Sequence, residues 1–245
     1  MNNTKVVSTT LSLATLGILN SAMAANAATF TPLTDLTDGG FNQLLGEGKF
    51  TEDFIAESRI GISGSGDFEI DIQEVEPPGP GGIPQPTAEF EWGNNQPVDF
   101  RLEYDGSKVI YTVGGIELMK EDVQDLANIN SIFLRTRSNG DGSIAEISNL
   151  VVDDMAYNGI VRSDDSDIID YLKITDIGNN FVVTGTSNFA WVDGSRPTRS
   201  ELAYQFKVGT MGMPPSHSVP EPASVSLISL TLLGGAFAST RRRRK

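Results

Sequence analysis

Cysteine is absent from the 245 residues, and histidine occurs once, as His217. The first absence removes disulfide scaffolds, thiolate nucleophiles and cysteine-ligated zinc. The second leaves any Ser-His-Asp relay a single imidazole, set in the Pro-rich stretch Pro214-Pro215-Ser216-His217, and that route is discounted. Positive charge is scarce as well: 18 Lys plus Arg stand against 32 Asp plus Glu, a formal net charge of −14. Such a chain repels nucleic acid and anionic lipid at neutral pH. What is plentiful is glycine, 25 residues, with 12 proline and 39% hydrophobic residues. This composition is globular and turn-rich, and the length suits one domain of moderate size with two processed ends.

The N-terminus carries Lys5 as its only charge, runs uncharged from Val6 to Leu19, and closes in Ala22-Met23-Ala24 and Ala25-Asn26-Ala27. Both triplets have the small-x-small form that signal peptidase accepts, so residues 1–27 are expected to be a secretory signal cleaved after Ala24 or Ala27. The run is short for a bilayer and interrupted by Ser and Thr, which argues against a permanent anchor.

At the other end, Val219-Pro220-Glu221-Pro222 precedes an uncharged stretch, Ala223 to Thr240, and the basic cluster Arg241, Arg242, Arg243, Arg244 and Lys245. Eighteen residues at helical rise cover about 27 Å, enough to cross a hydrocarbon core. The five cations would keep that end cytoplasmic by the positive-inside rule. Proline on both sides of Glu221 disfavours helix and leaves an extended segment at the membrane boundary. In this order and spacing, residues 219–245 resemble the PEP-CTERM sorting signal. The resemblance implies that an exosortase, a membrane transpeptidase, recognises the Pro-Glu-Pro motif and removes the transmembrane helix and basic cluster after a transient membrane stage. It also implies a Gram-negative-type surface and an association with exopolysaccharide production.

Processing changes the charge. Loss of Lys5, of the five C-terminal cations and of Glu221 leaves 12 Lys plus Arg against 31 Asp plus Glu, or −19. The natural attractions of such a domain are cations, water and basic partners.

Residues 28–210, followed by a linker at 211–218, read as sheet. Phe68, Ile70 and Ile72 share one face against Asp67, Glu69 and Asp71. Leu202, Tyr204, Phe206 and Val208 oppose Glu201, Ala203, Gln205 and Lys207 in the same way, the mark of half-buried antiparallel strands. Hairpin turns are expected at Asp105-Gly106-Ser107-Lys108 and at Ser138-Asn139-Gly140-Asp141-Gly142. Phe181 to Thr186 and Asn188 to Val192 supply a further apolar run. The expectation is an all-β fold, an antiparallel β-sandwich or jelly-roll, flanked by the signal helix and the C-terminal helix. Patchy helical spacing at Thr34–Leu45 and Ile116–Asn128, the latter with Leu118, Asp122 and Asp125, allows short helices at best. Pro77 to Pro86, eight of ten residues Pro or Gly, reads as an exposed loop between strands.

Acidic clusters are the candidate chemistry of the middle. Asp164, Asp165, Asp167 and Asp170 crowd into seven residues and present hard oxygen ligands suited to calcium, although the order of an EF-hand loop is missing, so any binding is expected to be weak. Glu89 and Glu91, read as one face of a strand beside Trp92, form a carboxylate pair of the kind glycoside hydrolysis uses. Asp67, Glu69 and Asp71 give the same arrangement with no aromatic neighbour, so the pattern is unspecific. Trp92 and Trp191 are expected in the core. Gly61 to Gly66 lacks the Lys-Ser/Thr and helix of a phosphate loop.

Gly66-Asp67-Phe68-Glu69-Ile70, Pro97-Val98-Asp99-Phe100, Tyr111-Thr112-Val113-Gly114-Gly115, Ile132-Phe133-Leu134-Arg135-Thr136-Arg137 and Ile147-Ser148-Asn149-Leu150 resemble segments of the choice-of-anchor surface domains, the W type in particular. That group has no established activity. The sequence thus leads to a non-enzymatic, exported surface or extracellular-matrix domain with no catalytic residue and no required cofactor. The alternative is a carbohydrate-directed module, lectin-like with or without calcium, or a glycoside-active enzyme, that meets extracellular polysaccharide.

Overall fold

The computed structural model describes residues 27–60, 68–75, 83–121, 123, 128–197 and 199–212. The signal at 1–27, apart from its last residue, the Gly61–Gly66 stretch, Asp67, Asp122, Asp125, His217 and the sorting signal at 219–245 lie outside these residues. Among those described, no helix is long and apolar enough to cross a membrane.

The chain is mostly β and antiparallel. A first sheet is built from β1 (Thr29–Pro32), β2 (Phe50–Ile60), β3 (Phe68–Glu74), β4 (Ile83–Ala88), β8 (Ser131–Ser138), β12 (Ile169–Thr175) and β14 (Leu202–Met211), in the spatial order β1-β12-β8-β14-β2-β3-β4. A second runs β10 (Met155–Ala156), β9 (Ile144–Val152), β13 (Phe181–Ala190), β5 (Val98–Tyr104), β6 (Val109–Val113) and β7 (Ile116–Lys120), with β11 (Val161–Ser163) also paired to β9.

The two sheets meet face to face, because alternation puts large apolar side chains on one side of each strand. Leu202, Tyr204, Phe206 and Val208 are buried on the inner face of β14, as expected. From the opposing sheet, Phe100 packs against Phe206 and Tyr204 with ring centroids 5.2 and 5.6 Å away. The Ser58 and Tyr111 hydroxyls hydrogen-bond across the layer at 2.8 Å, which satisfies two polar groups inside the core. Trp92 is buried at 4.5 Å from Phe189, and Trp191 is half-buried against the same core, so both tryptophans are packing residues.

Among the described residues there is one short helix, α1 (Asp38–Gly46), which overlaps the Thr34–Leu45 expectation and runs one residue past it. Thr37 caps it by accepting the Gly40 N–H, and Asp38 in its first turn suits the helix dipole. Phe41 anchors the helix on the outer face of the first sheet, against Phe50, Phe133 and Tyr171.

Four expectations are corrected. Ile116 to Lys120 is strand β7, not helix: Gly114 and Gly115, with φ of +55° and +88°, close a tight β6–β7 hairpin, and such left-handed turns set strand pairing before helical spacing has any effect. Ser138 to Gly142 is not a hairpin turn, since β8 pairs with β12 and β14 in one sheet and β9 with β13 in the other. The segment instead crosses between sheets, held by the Ser138 and Ser143 hydroxyls at 2.7 Å. The Pro-rich segment is strand from Ile83 onward, and Pro84 and Pro86 are tolerated because β4 is an edge. Finally, the polar face of β3 and β14 is not solvated: Asp71, Ala203 and Lys207 are all buried. The expected Asp105–Lys108 hairpin is present between β5 and β6, with Asp105 Oδ1 accepting from the Ser107 and Lys108 N–H groups at 3.0 Å.

Candidate functional site

The outer face of the first sheet carries a row of polar side chains. Tyr171, Arg135, Gln205, Glu57 and Asp71 are direct cross-strand neighbours on β12, β8, β14, β2 and β3. Five strands at about 4.8 Å each make the row about 19 Å long. The next row along the strands places Arg137, Ala203 and Arg59 side by side, and the row on the other side holds Phe133, Lys207, Ile55 and Gln73. With Asp38, Phe41 and Asn42 of α1 at one end, most of these residues, though not Asp71, Phe133 or Ile55, line a cavity of about 400 Å³.

Most of its charges are held. Arg135, nearly fully buried, donates from Nε to Asp38 Oδ1 at 2.7 Å and from Nη2 to Asp38 Oδ2 at 2.6 Å, and Tyr171 OH donates to the same carboxylate at 2.8 Å. Burial alone would raise the Asp38 carboxyl, but the Arg135 hydrogen bond and charge, with Tyr171 and the charge of Arg137, together hold it below its ordinary value. Desolvation pushes the Tyr171 hydroxyl well up, so it stays a donor at any physiological pH. Gln73 Nε2 bridges Glu57 Oε2 and Asp71 Oδ1, each at 3.0 Å. Arg59 lies 3.3 Å from Glu57 and 3.4 Å from Asp71. Lys207 Nζ donates to Glu52 Oε1 at 3.0 Å and sits 5.0 Å from the Phe41 ring.

Two of the sheet residues that line the cavity stand apart, as does the exposed Asn42 of α1. Arg137 and Gln205 are half-buried, and among the described residues neither side chain has a hydrogen bond or ion pair. Ala203 forms the floor beside them. A face of this kind can grip a polar ligand through planar guanidinium and amide groups.

Apart from Asp71, which falls in an unspecific acidic alternation, the sequence does not mark these residues as a site. The available signal was Arg135-Thr136-Arg137, where period two puts two guanidinium groups on one face of a strand whose other face is core. A hydrophobic strand with both arginines on one side is not a solvated surface pattern.

The sequence candidates are placed elsewhere and are not gathered into one site. Asp164 closes its own turn, accepting from the Ser166 N–H at 2.9 Å and the Ser166 hydroxyl at 2.7 Å; these bonds lower its carboxyl to about 2. Asp165 instead accepts the Gly142 N–H at 2.8 and 2.9 Å, while Asp170 Oδ2 accepts the Arg162 N–H at 3.1 Å. Asp167 donates its backbone N–H to Asp164 O at 3.2 Å. Among the described residues, no group of three or more acidic or imidazole side chains converges as a metal site.

Glu89 and Glu91 are exposed and follow β4 in an irregular segment, which corrects their expected place on one strand face. A second depression, of about 480 Å³ beside Phe90 and Gly114, has its charges engaged: Asp99 accepts the Thr186 hydroxyl at 2.9 Å, and Arg101 pairs with Glu103 at 2.7 Å. The sorting motif Val219 to Pro222 and the cluster Arg241 to Lys245 lie outside the described residues. In comparison with known proteins, the chain matches no family model and no curated protein.

Proposed function

We propose that this is a non-enzymatic domain exported to the bacterial surface or extracellular matrix, where the cavity on its first sheet binds a hydroxyl-rich polysaccharide. The observation that carries the binding role is the half-buried pair Arg137 and Gln205, which line the cavity beside Ala203 with no hydrogen bond or ion pair among the described residues. A concave sheet face that presents a planar guanidinium and a planar amide suits sugar hydroxyls better than an apolar ligand. The row's carboxylates, Glu57 and Asp71, are engaged by Gln73 and Arg59.

Strand order supports a jelly-roll as the finer architecture. Taking β2, β5, β8, β9, β11, β12, β13 and β14 as eight successive strands, the pairings are 1-8-3-6 in one sheet and 2-7-4-5 in the other. That is the interleaving of two Greek keys. β3–β4 and β6–β7 are hairpin insertions at the sheet edges.

Delivery belongs to the same proposal. Signal peptidase removes residues 1–24 or 1–27, and an exosortase acts at Pro220-Glu221-Pro222, with Ala223–Thr240 as the transient membrane segment. The test of the binding role is a glycan array probed with the full-length chain, with and without calcium. Retention of polysaccharides by the parent, and loss of that retention when Gln205 and Glu57 are both changed to Ala, is the expected result. Retention by neither form removes the binding role.

A further inference from the structure

Resting on that groove-binding proposal, we infer that the cavity is selective for a carboxylate-bearing sugar, a uronic-acid unit, whose carboxylate meets Arg137 over the Ala203 floor while an adjacent hydroxyl meets Gln205. Four cations line the cavity. Three are already neutralised: Arg135 by Asp38, Lys207 by Glu52, and Arg59 by Glu57 and Asp71. Of the four, Arg137 alone has no hydrogen bond or ion pair among the described residues, although it is half-buried in a chain of net charge −14; Asp38 feels its charge, but the Asp38 oxygens are taken by Arg135 and Tyr171. A guanidinium taken partly out of water without a partner is costly, and a ligand that supplies the counter-charge recovers that cost.

Register gives the ligand its place. Arg137 pairs directly with Ala203, and Ala203 pairs directly with Arg59, so the smallest side chain of the row lies between two guanidinium groups. Those groups arise from backbone positions two strand spacings apart, about 10 Å, which leaves room for one sugar ring above the alanine methyl. Gln205 is two residues from Ala203 on the same strand and face, diagonal to Arg137, so that both side chains can reach one sugar ring.

The charge count selects among anions. Asp38 and Glu57 also line the cavity, and their charges disfavour a doubly charged phosphate monoester more than a singly charged group. A monoanionic carboxylate has the planar, two-oxygen edge that fits the guanidinium fork, which a tetrahedral sulfate matches less well.

The experiment compares binding of the full-length chain to oligogalacturonate, its methyl ester, a sulfated glucan and a neutral glucan, in parent, Arg137→Gln and Ala203→Leu forms. Melting temperature monitors the fold of each. The parent is expected to prefer oligogalacturonate over its methyl ester by about tenfold, a preference that weakens with added salt. Arg137→Gln should abolish the preference while retaining residual binding to the ester, and Ala203→Leu should weaken every ligand. Equal binding of acid and ester by the parent overturns the carboxylate assignment while the groove proposal stands, and so does a preference for sulfate. Failure to bind any of the four overturns both. If Arg137→Gln does not fold, Arg137→Lys serves, since a point charge without the fork should lose most of the preference and keep the salt dependence.

Discussion

Arg135 and Asp38 are 97 residues apart in the chain and joined by two parallel hydrogen bonds of 2.6 and 2.7 Å, which clamp the first turn of α1 to the centre of the first sheet. The pair decides where the cavity wall stands, because α1 has Phe41 as its only fully buried side chain. Without it, the helix would be held by Phe41 and its half-buried apolar neighbours alone.

Changing Asp38 to Ala should therefore cost about 2 kcal/mol. The loss comes mainly from Arg135, which is 7% exposed and would be left without its anion. Because the folded carboxyl is held below its ordinary 3.8, the stabilisation is present above that value and lost as pH falls through the lower folded one. Thermal melts of parent and Asp38→Asn should differ at pH 7 and converge in strong acid. A constant difference across the range would mean that the charge of Asp38 contributes nothing.

Asp53 has the opposite sign. It occupies the β2 bulge, where the β14 register shifts between Val208 and Gly209, and burial raises its carboxyl to about 6, offset in part by a hydrogen bond with Thr210 and reinforced by the nearby charge of Glu52. The protonated form is the one that the fold prefers, so stability present below pH 4 should decline as pH rises through about 6. Asp53→Asn should remove the decline and gain about 1 kcal/mol at pH 7, a figure reduced for the side chain's remaining contact with water. Melts at pH 4, 6 and 8 check it, and a variant that is no more stable than the parent at pH 8 rejects it.

How much of this was legible follows from what kind of information each feature needs. The inner faces were readable, since Leu202, Tyr204, Phe206 and Val208 alternate without interruption and a period of two admits only one buried face. The β5–β6 hairpin was readable because Asp105 and Gly106 carry the turn chemistry locally. Ser138 to Gly142 carries equally good turn chemistry and yet connects strands in different sheets, because a turn fixes chain reversal and not the pairing partner. β7 was missed although Gly114-Gly115 is a two-residue hairpin signal, its helical look coming from a five-residue strand too short for either period to dominate. The cavity depends on non-local pairing: nothing in the chain links Glu57 to Gln205 or Arg135 until β14 is threaded between β2 and β8. Only the Arg135 and Arg137 spacing hinted at it. A face judged by period alone is called solvated, whereas helix α1 and long neighbouring side chains cover Asp71 and Lys207.

Gly209 and Gly46 offer a matched pair of glycine substitutions. A Cβ at Gly209 would overlap the Thr51 carbonyl oxygen and approach Phe50 Cζ to 2.9 Å, and the carbonyl belongs to backbone that cannot step aside without breaking the β2–β14 ladder. Gly209→Ala should cost about 2 to 4 kcal/mol. At Gly46, the last helical residue, nothing lies within 4 Å of the added carbon, and Gly46→Ala should gain about 0.5 kcal/mol or more from helix propensity. Denaturant midpoints measure both, and similar values for the two variants would show that the bulge yields.

The delivery proposal makes the remaining prediction. Glu221→Ala, or deletion of Arg241 to Lys245, should leave a full-length precursor in the membrane fraction. In that proposal, proline at 220 and 222 would disfavour helix in the recognition segment, the uncharged stretch from Ala223 to Thr240 would set it at the outer face, and the basic cluster would fix that orientation. On that reading each element would act through the depth of the motif, so processing should depend on the tail alone. Grafted onto an unrelated secreted protein, residues 219–245 should be cleaved in a host with an exosortase and remain a stable anchor in one without. Immunoblots of membrane and released fractions give the answer. If the Glu221 variant is processed as efficiently as the parent, the glutamate is not read, and the cleavage belongs to a protease that sees only the membrane segment.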